Sequence, residues 1–233
     1  MRSTTSADSC PRWLLLLFST AATERADYWQ RLFSVRRIRP AWFAVIALLP
    51  ALVVGLAAFG DVLLGGRGAT LDAAARFRQQ PLTLVPFTLF VLVFGPVPEE
   101  MGWRGYALDP LQARFSALNA SLLLGTIWTV WHLPLFFVPG TYQQQLGLGT
   151  VAFWYFMADK IPQSILMTWI YNSTARSTLS AVLFHFMVNY LGELFALTPR
   201  AEGFSIVVWI FAALVATLAV GPRTLKSGGS KIH

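Results

Sequence analysis

"PVPEEMGWRGYAL", residues 96–108, follows "FTLFVLVFG", residues 87–95, in which no side chain is charged. Two adjacent acids, Glu99 and Glu100, close the apolar run, and Arg104 follows four residues later. If the stretch is helical, Glu100 and Arg104 lie one turn apart and can pair. Glu99 then projects about 100° away and finds no partner at that spacing. Pro98 suits the first turn of such a helix, where its missing N–H costs nothing. Two accounts compete. In one, the acids merely favour a helix start and Arg104 anchors a membrane edge. In the other, a hydrophobic domain is built around a polar site.

Composition favours a membrane. The chain has 233 residues, 55% of them apolar and 12% charged, where average soluble domains carry about 25% charged residues. The mean hydropathy is +0.56. The net charge of +7 could suggest a nucleic-acid partner. However, the basic residues form no stripe with interleaved aromatics; they sit between apolar blocks, where they orient helices. A nucleic-acid function is therefore excluded. The one cysteine, Cys10, permits neither an intrachain disulfide nor a thiolate metal site.

A bilayer core of about 30 Å takes roughly 20 apolar residues in a helix. Residues 41–60, 82–98, 118–138, 151–171, 179–197 and 204–221 fit, with the second ending at the glutamates. The expected fold is an all-α, polytopic transmembrane helical bundle of about six spans around a polar intramembrane cavity. Residues 1–40 read as a basic N-terminal tail, 41–221 as the transmembrane domain and 222–233 as a cytoplasmic C-terminal tail. With the N-terminus inside, Arg25, Arg31, Arg36, Arg37, Arg39, Arg104, Arg114, Arg176, Arg223, Lys226 and Lys231 are cytoplasmic. Only Arg67, Arg76, Arg78 and Arg200 are outside, and the first three suggest a re-entrant or interfacial segment.

"RWLLLLFSTAA", residues 12–22, is too short to span and has the look of a signal-peptide core. The arginines of "ERADYWQRLFSVRRIRP" directly after it argue against cleavage. In that second segment Tyr28, Trp29, Leu32, Phe33 and Arg36 recur near helical spacing. An interfacial helix and an ordinary solvated tail both fit.

Ionisable groups at bilayer depth usually have partners or a function. Besides the glutamates and Arg104, two sets stand out. Trp128 and His132 in "TIWTVWHLPLFF" are four apart, and Pro134 just beyond frees a carbonyl that could satisfy the imidazole. His185 and Asn189 in "LFHFMVNY" are also four apart, as a hydrogen-bonded helix pair would be. The fourth stretch carries Asp159 and Lys160. One polar cavity accounts for these groups more economically than separate structural reasons. A carboxylate and a histidine sharing a site can activate water, and an imidazole with a carboxamide can donate to an oxyanion. That parts list suits amide hydrolysis.

"EEMGWRG", "WTVWHLP" and "HFMVN" resemble, in order, the three motifs of the CAAX-protease and bacteriocin-processing family of intramembrane glutamic endopeptidases. The resemblance covers about residues 41–200. It implies an all-α bundle enclosing a water-filled conical cavity, with the protease domain in residues 41–221. It also implies that Glu99 activates the water with His132, and that Glu100 pairs with Arg104 and shapes the site. His185 and Asn189 would form the oxyanion hole. Trp128 stands where phenylalanine is common in the family. Members often carry one or two further spans before the stretch matching residue 41, so the resemblance implies a truncated or shortened member. It implies no cofactor and no metal. The partners would be a membrane-associated peptide or protein substrate and the lipid bilayer, in the plasma membrane, with both termini cytoplasmic.

Two rival readings remain. Glu99, His132 and His185 could supply a two-histidine, one-carboxylate zinc site, although no HExxH is present. A non-catalytic transporter or immunity protein could use the same cavity for binding.

Overall fold

A computed structural model of the chain describes residues 22–227. The apolar run of residues 12–21, Cys10 and Lys231 lie outside the described residues. In chain order come α1 (Ala22–Phe33), α2 (Pro40–Leu63), α3 (Asp72–Gln79), α4 (Leu84–Phe94) and α5 (Pro96–Gly102). A π-helical turn (Trp103–Ala107) leads into α6 (Leu108–Gln112). Then follow α7 (Ala117–Trp131), α8 (Tyr142–Leu146), α9 (Val151–Ser173), α10 (Thr178–Leu194) and α11 (Pro199–Val220). Two short strands, β1 (Ala69–Thr70) and β2 (Ala196–Leu197), pair antiparallel.

Local chemistry sets the long helices' starts. Ser116, Thr150, Ser177 and Thr198 precede α7, α9, α10 and α11, and each side-chain oxygen accepts from the backbone N–H three residues on. Pro40 and Pro199 occupy first helical positions, where no donor is needed. The helix carrying the glutamates starts at Pro96, two residues before the expected Pro98, so both prolines lie in its first turn. Nor does this second apolar stretch end at residue 98, because helical backbone continues to Gln112. The glutamates are thus inside the run.

Among the described residues, four segments are long and apolar enough to cross a membrane: Pro40–Leu63, Pro81–Gln112, Ala117–Phe137 and Pro199–Val220. Six stretches were expected. The other two do form α9 and α10, but each departs from a simple span for a physical reason. α9 carries Asp159, Lys160, Gln163, Ser164 and Thr168 through its middle. α10 has 17 residues, about 25 Å of helix, which falls short of a hydrocarbon core of about 30 Å. α9 packs between α7 and α11 and contributes Ile165, Leu166, Met167 and Ile170 to the main core.

Polarity is inverted relative to a water-soluble protein. Leu48, Leu52, Leu56 and Phe59 on α2 and Ile210, Phe211 and Leu214 on α11 are exposed. Glu100, Arg104, Gln163, Ser164, Thr168 and His185 are buried. Exposed apolar faces of that extent belong against lipid tails, and the chain is an integral membrane protein.

Contacts gather the loops at two ends of the bundle, which α2 connects. At one end Asp61 accepts from Gly68 N at 2.8 Å and from Thr198 Oγ1 at 2.9 Å, and it also pairs with Arg200. The β1–β2 ladder lies beside this cluster, because Thr198 N also donates to Gly68 O. At the other end Ala117 N and Leu118 N donate to the carbonyls of Arg223 and Pro222.

The second end also holds α1. Arg31 Nη1 donates to Asp109 Oδ2 at 2.6 Å and to the Tyr171 hydroxyl at 2.9 Å, and Arg176 pairs with the same aspartate. Arg37 bridges Asp27 at 2.6 Å and the Ala175 carbonyl at 2.9 Å. Leu32 and Ile38 are buried, whereas Trp29 and Phe33 stack with ring centroids 5.8 Å apart and stay exposed. α1 therefore turns one side to the bundle.

Asp109→Asn removes the charge to which both Arg31 and Arg176 bond. Charge-assisted bonds are worth about 1.5–3 kcal/mol when well shielded, and less where water screens them, as at Arg176. Trypsin should then cut severalfold faster after Arg36 and Arg37, with the bundle intact in size-exclusion chromatography. Unchanged protection of those bonds would show that α1 is held by its apolar side alone.

Candidate active site

Four helical segments bring the six expected residues into one region. Glu99 and Glu100 come from α5, and Arg104 comes from the π turn. His132 ends α7, while His185 and Asn189 come from α10. Such π turns are frequent at functional sites.

Glu100 and Arg104 pair as their spacing suggests. Arg104 Nη1 lies 3.1 and 3.0 Å from the two Glu100 oxygens, and neither side chain has any exposed surface. The second arginine nitrogen, Nη2, donates to Ser164 Oγ at 3.1 Å and to the Ser164 carbonyl at 3.3 Å. Ser164 Oγ in turn donates to the Ser121 carbonyl at 3.0 Å. Ser164 and Ser121 were not picked out from the sequence. Their signal was the small-residue pattern Ser121–Gly125 on α7, which lets two helices approach closely. A Cβ on Gly125 would sit 3.0 Å from Ser164 Cβ and 3.2 Å from Ile161 Cα.

His185 does something the spacing did not suggest. Its Nδ1 lies 3.0 Å from Glu100 Oε1. An ionised carboxylate only accepts, so Nδ1 carries the proton and Nε2 is the nitrogen left for other partners. Four residues on, Asn189 turns towards the α4–α5 break. Its Nδ2 is 3.6 Å from the place a Cβ would take on Gly95.

Glu99 also has a partner, contrary to the single-helix expectation. Trp128 Nε1 donates to Glu99 Oε2 at 2.6 Å. This bond crosses from α7 to α5, so periodicity along one helix could not reveal it. The same tryptophan fixes His132. At the end of α7 the backbone tightens, and His132 N bonds the Thr129 carbonyl rather than that of Trp128. The freed Trp128 carbonyl meets His132 Nδ1 at 2.8 Å. Pro134 was expected to free a carbonyl for this ring; the tightened turn supplies that of Trp128 instead. Nδ1–H donates to it, and a neutral His132 offers its Nε2 lone pair.

The Trp128 ring is itself packed by charges and imidazoles. Arg104 Cζ lies 5.7 Å and Lys160 Nζ 5.5 Å from its centroid. The rings of His185 and His132 are 5.2 and 5.6 Å away. Lys160, paired with Asp159 at 2.8 Å, points its ammonium at the Phe156 ring 4.0 Å off. The Asp159–Lys160 pair of α9 therefore faces the site. Among the described residues, no three of His, Cys, Asp and Glu form a metal-holding group, and Glu99, His132 and His185 are not gathered as one.

The site thus divides its two carboxylates. Glu100 is saturated by Arg104 and His185, whereas Glu99 has one oxygen held and is partly exposed. Glu100→Gln leaves Arg104 buried without its counter-charge, and breaking such a pair costs about 3–5 kcal/mol. The melting temperature in detergent should fall by several degrees, well beyond the effect of Arg36→Gln on the surface. A wild-type melting curve would show that the buried pair contributes nothing to the fold.

Residues 81–191, which include all six site residues, match the family model described as type II CAAX prenyl endopeptidase, Rce1-like. The chain is also 34% identical over 181 residues to a CAAX prenyl protease 2 of Methanococcus maripaludis. That alignment takes in 76% of this chain and 65% of the relative, so the chain spans a little under two thirds of the relative's length. Residues 81–191, carrying the paired glutamates, both site histidines and Asn189, are thus similar to the Rce1-like type II CAAX prenyl endopeptidases.

Proposed function

We propose that the protein is an intramembrane endopeptidase that hydrolyses a peptide bond of a membrane-associated substrate, with Glu99 as general base. The carrying observation is the contrast between a saturated Glu100 and a Glu99 with one oxygen free. The name of the relative, CAAX prenyl protease 2, points to a CAAX-type prenylated substrate.

In this reading each residue takes one role. The free Glu99 oxygen and the Nε2 lone pair of His132 accept the two protons of one water. As its oxygen attacks the scissile carbonyl carbon, one proton passes to Glu99, and a tetrahedral oxyanion forms. His185 Nε2 and Asn189 Nδ2 donate to that oxyanion. Donation from Nε2 requires His185 to carry both ring protons, and Glu100 beside Nδ1 supplies the counter-charge. The intermediate collapses, the C–N bond breaks, and Glu99 returns its proton to the leaving amine. Trp128 is a positioning residue, because it directs Glu99 through Nε1 and His132 through its carbonyl.

Peptide cleavage by purified variants tests this reading. Glu99→Gln should lose at least ~10² in kcat, the usual worth of a general base, and melt like wild type. Trp128→Phe keeps the ring and loses one charge-assisted bond, so kcat should fall roughly tenfold with KM near wild type. Cleavage by Glu99→Gln at the wild-type rate removes the glutamate from the mechanism. Loss of wild-type activity on chelation, restored by zinc, would favour the metal reading instead.

For orientation we propose a cytoplasmic N-terminus in the plasma membrane. Arg104 is buried and no longer counts as a loop charge, which leaves ten basic residues on the inner side against four. Single cysteines at Gln144 and Lys226, in a background without Cys10, should label from opposite sides. Labelling from one side would overturn the topology.

A further inference from the structure

Lys160 is buried in the middle of α9, with 8% of its surface exposed. A charge at that depth is costly and marks a partner or a function. Lysines near helix ends escape the cost by reaching for the interface, but this one turns inward. Its ammonium lies 4.0 Å from the Phe156 ring centroid and 5.5 Å from that of Trp128. Those two rings flank the reacting groups. The Trp128 indole holds Glu99, and the Phe156 ring packs 5.2 Å from the His132 ring. One indole therefore separates the ammonium from Glu99.

The pairing of this charge is incomplete. An ammonium has three N–H groups, and among the described residues its one hydrogen bond goes to Asp159 Oδ1 at 2.8 Å. Ring faces attract the charge but leave two donors without an oxygen. Side chains at adjacent helix positions do not face each other, so the pair is held without the help of helix geometry. Nor does the bond join α9 to another element, whereas the Glu100–Arg104 pair is tied to α9 and α10. Asp159 also lines a small cavity of about 80 Å³ with Tyr142, Tyr155 and Glu202. Its carboxylate thus has a second place to go, where tyrosine hydroxyls can donate to it.

We propose that Lys160 is a subsite for a carboxylate of the substrate, a few residues from the scissile bond, and that Asp159 occupies the ammonium until that carboxylate displaces it. The inference rests on the protease reading, because Glu99 ties the ammonium's position to the reacting bond. The anions a peptide carries are its C-terminal carboxylate and the side chains of Asp and Glu, and both sources present the same two oxygens. Charge-assisted bonds of this kind are the strong ones. An extended residue spans about 3.3–3.6 Å, so a few residues bridge the indole between Glu99 and the ammonium. Lys160 then sets how far from that carboxylate the cut falls.

The test uses full-length protein and one S-farnesyl peptide sequence in three forms, ending in a free carboxylate, in a carboxamide, or in an aspartate carboxamide. Wild type should show a KM roughly tenfold or more lower for a carboxylate form than for the plain carboxamide, the worth of one charge-assisted bond. Preference for the free acid alone identifies the chain end as the source, and preference for the aspartate form identifies a side chain. Lys160→Gln should bring the ratio close to one. That variant leaves Asp159 without its cation, so Asp159→Asn combined with Lys160→Gln is measured beside it and should lose the ratio too. Asp159→Asn alone removes the competitor and should widen the ratio. A ratio near one in wild type, or the wild-type ratio in both Lys160 variants, would overturn the subsite. A fall in kcat equal for all three peptides, with the ratio kept, would make Lys160 structural and overturn it as well. A second measurement needs no turnover. Glu99→Gln protein should bind the peptides, followed by fluorescence anisotropy, with the same preference, and adding Lys160→Gln should remove it. Equal binding of the three forms would overturn the proposal. If wild type cleaves no peptide but this preference and its loss are seen, the protease reading fails while the carboxylate subsite stands.

Discussion

The buried contact between Glu100 and Arg104 organises the rest of the bundle. Neither side chain reaches solvent, and an ion removed from water costs several kcal/mol unless its bonds are replaced. The replacements come from separate elements: Ser164 of α9 for the arginine and His185 of α10 for the glutamate. Satisfying one ion pair therefore fixes α5, the π turn, α9 and α10 together. Apolar helices in lipid gain little from mutual burial, so polar contacts and close packing of small residues must specify their arrangement. The Gly125–Ser164 approach provides the packing beside this pair.

Trp128 transmits that order to the reacting groups. Its ring packs against Arg104 and Lys160, so its position is tied to the ion pair. Its indole nitrogen then aims Glu99, and its carbonyl sets the tautomer of His132. A phenylalanine could fill the same space but could make only the backbone bond. The two adjacent glutamates thus acquire different surroundings from one helix. One is locked by opposite charge, and the other is held by a single neutral donor with an oxygen to spare.

How much of this was legible in the sequence depends on whether a contact stays within one helix. Glu100 and Arg104 are four apart, and helical geometry alone brings them together. The Trp128 bond to Glu99 joins residues 29 apart on different helices, and no periodicity encodes it. The same holds for His185, whose spacing to Asn189 suggested a shared target, while its Nδ1 turned to Glu100. Hydropathy located all six long apolar stretches as helices. It could not foresee that α9 would bury its polar residues at the centre, or that α10 would be short, because both depend on which neighbours cover them. The break at Gly95 was legible in part. Pro98 signalled a helix start close to the observed one at Pro96, but the apolar reading stopped at residue 98, and only the backbone shows the run continuing to Gln112.

α1 is made before every other described helix, yet its anchors are late in the chain. Arg31 binds Asp109, 78 residues on, and Tyr171, 140 residues on. During synthesis those partners do not exist when α1 leaves the ribosome. The helix must wait at the membrane surface, where its stacked Trp29 and Phe33 suit the headgroup layer. Only after α9 is inserted can it dock. Biogenesis therefore has a built-in order: α1 is made first, but it can close beside Glu99 only once its partners on α6 and α9 exist.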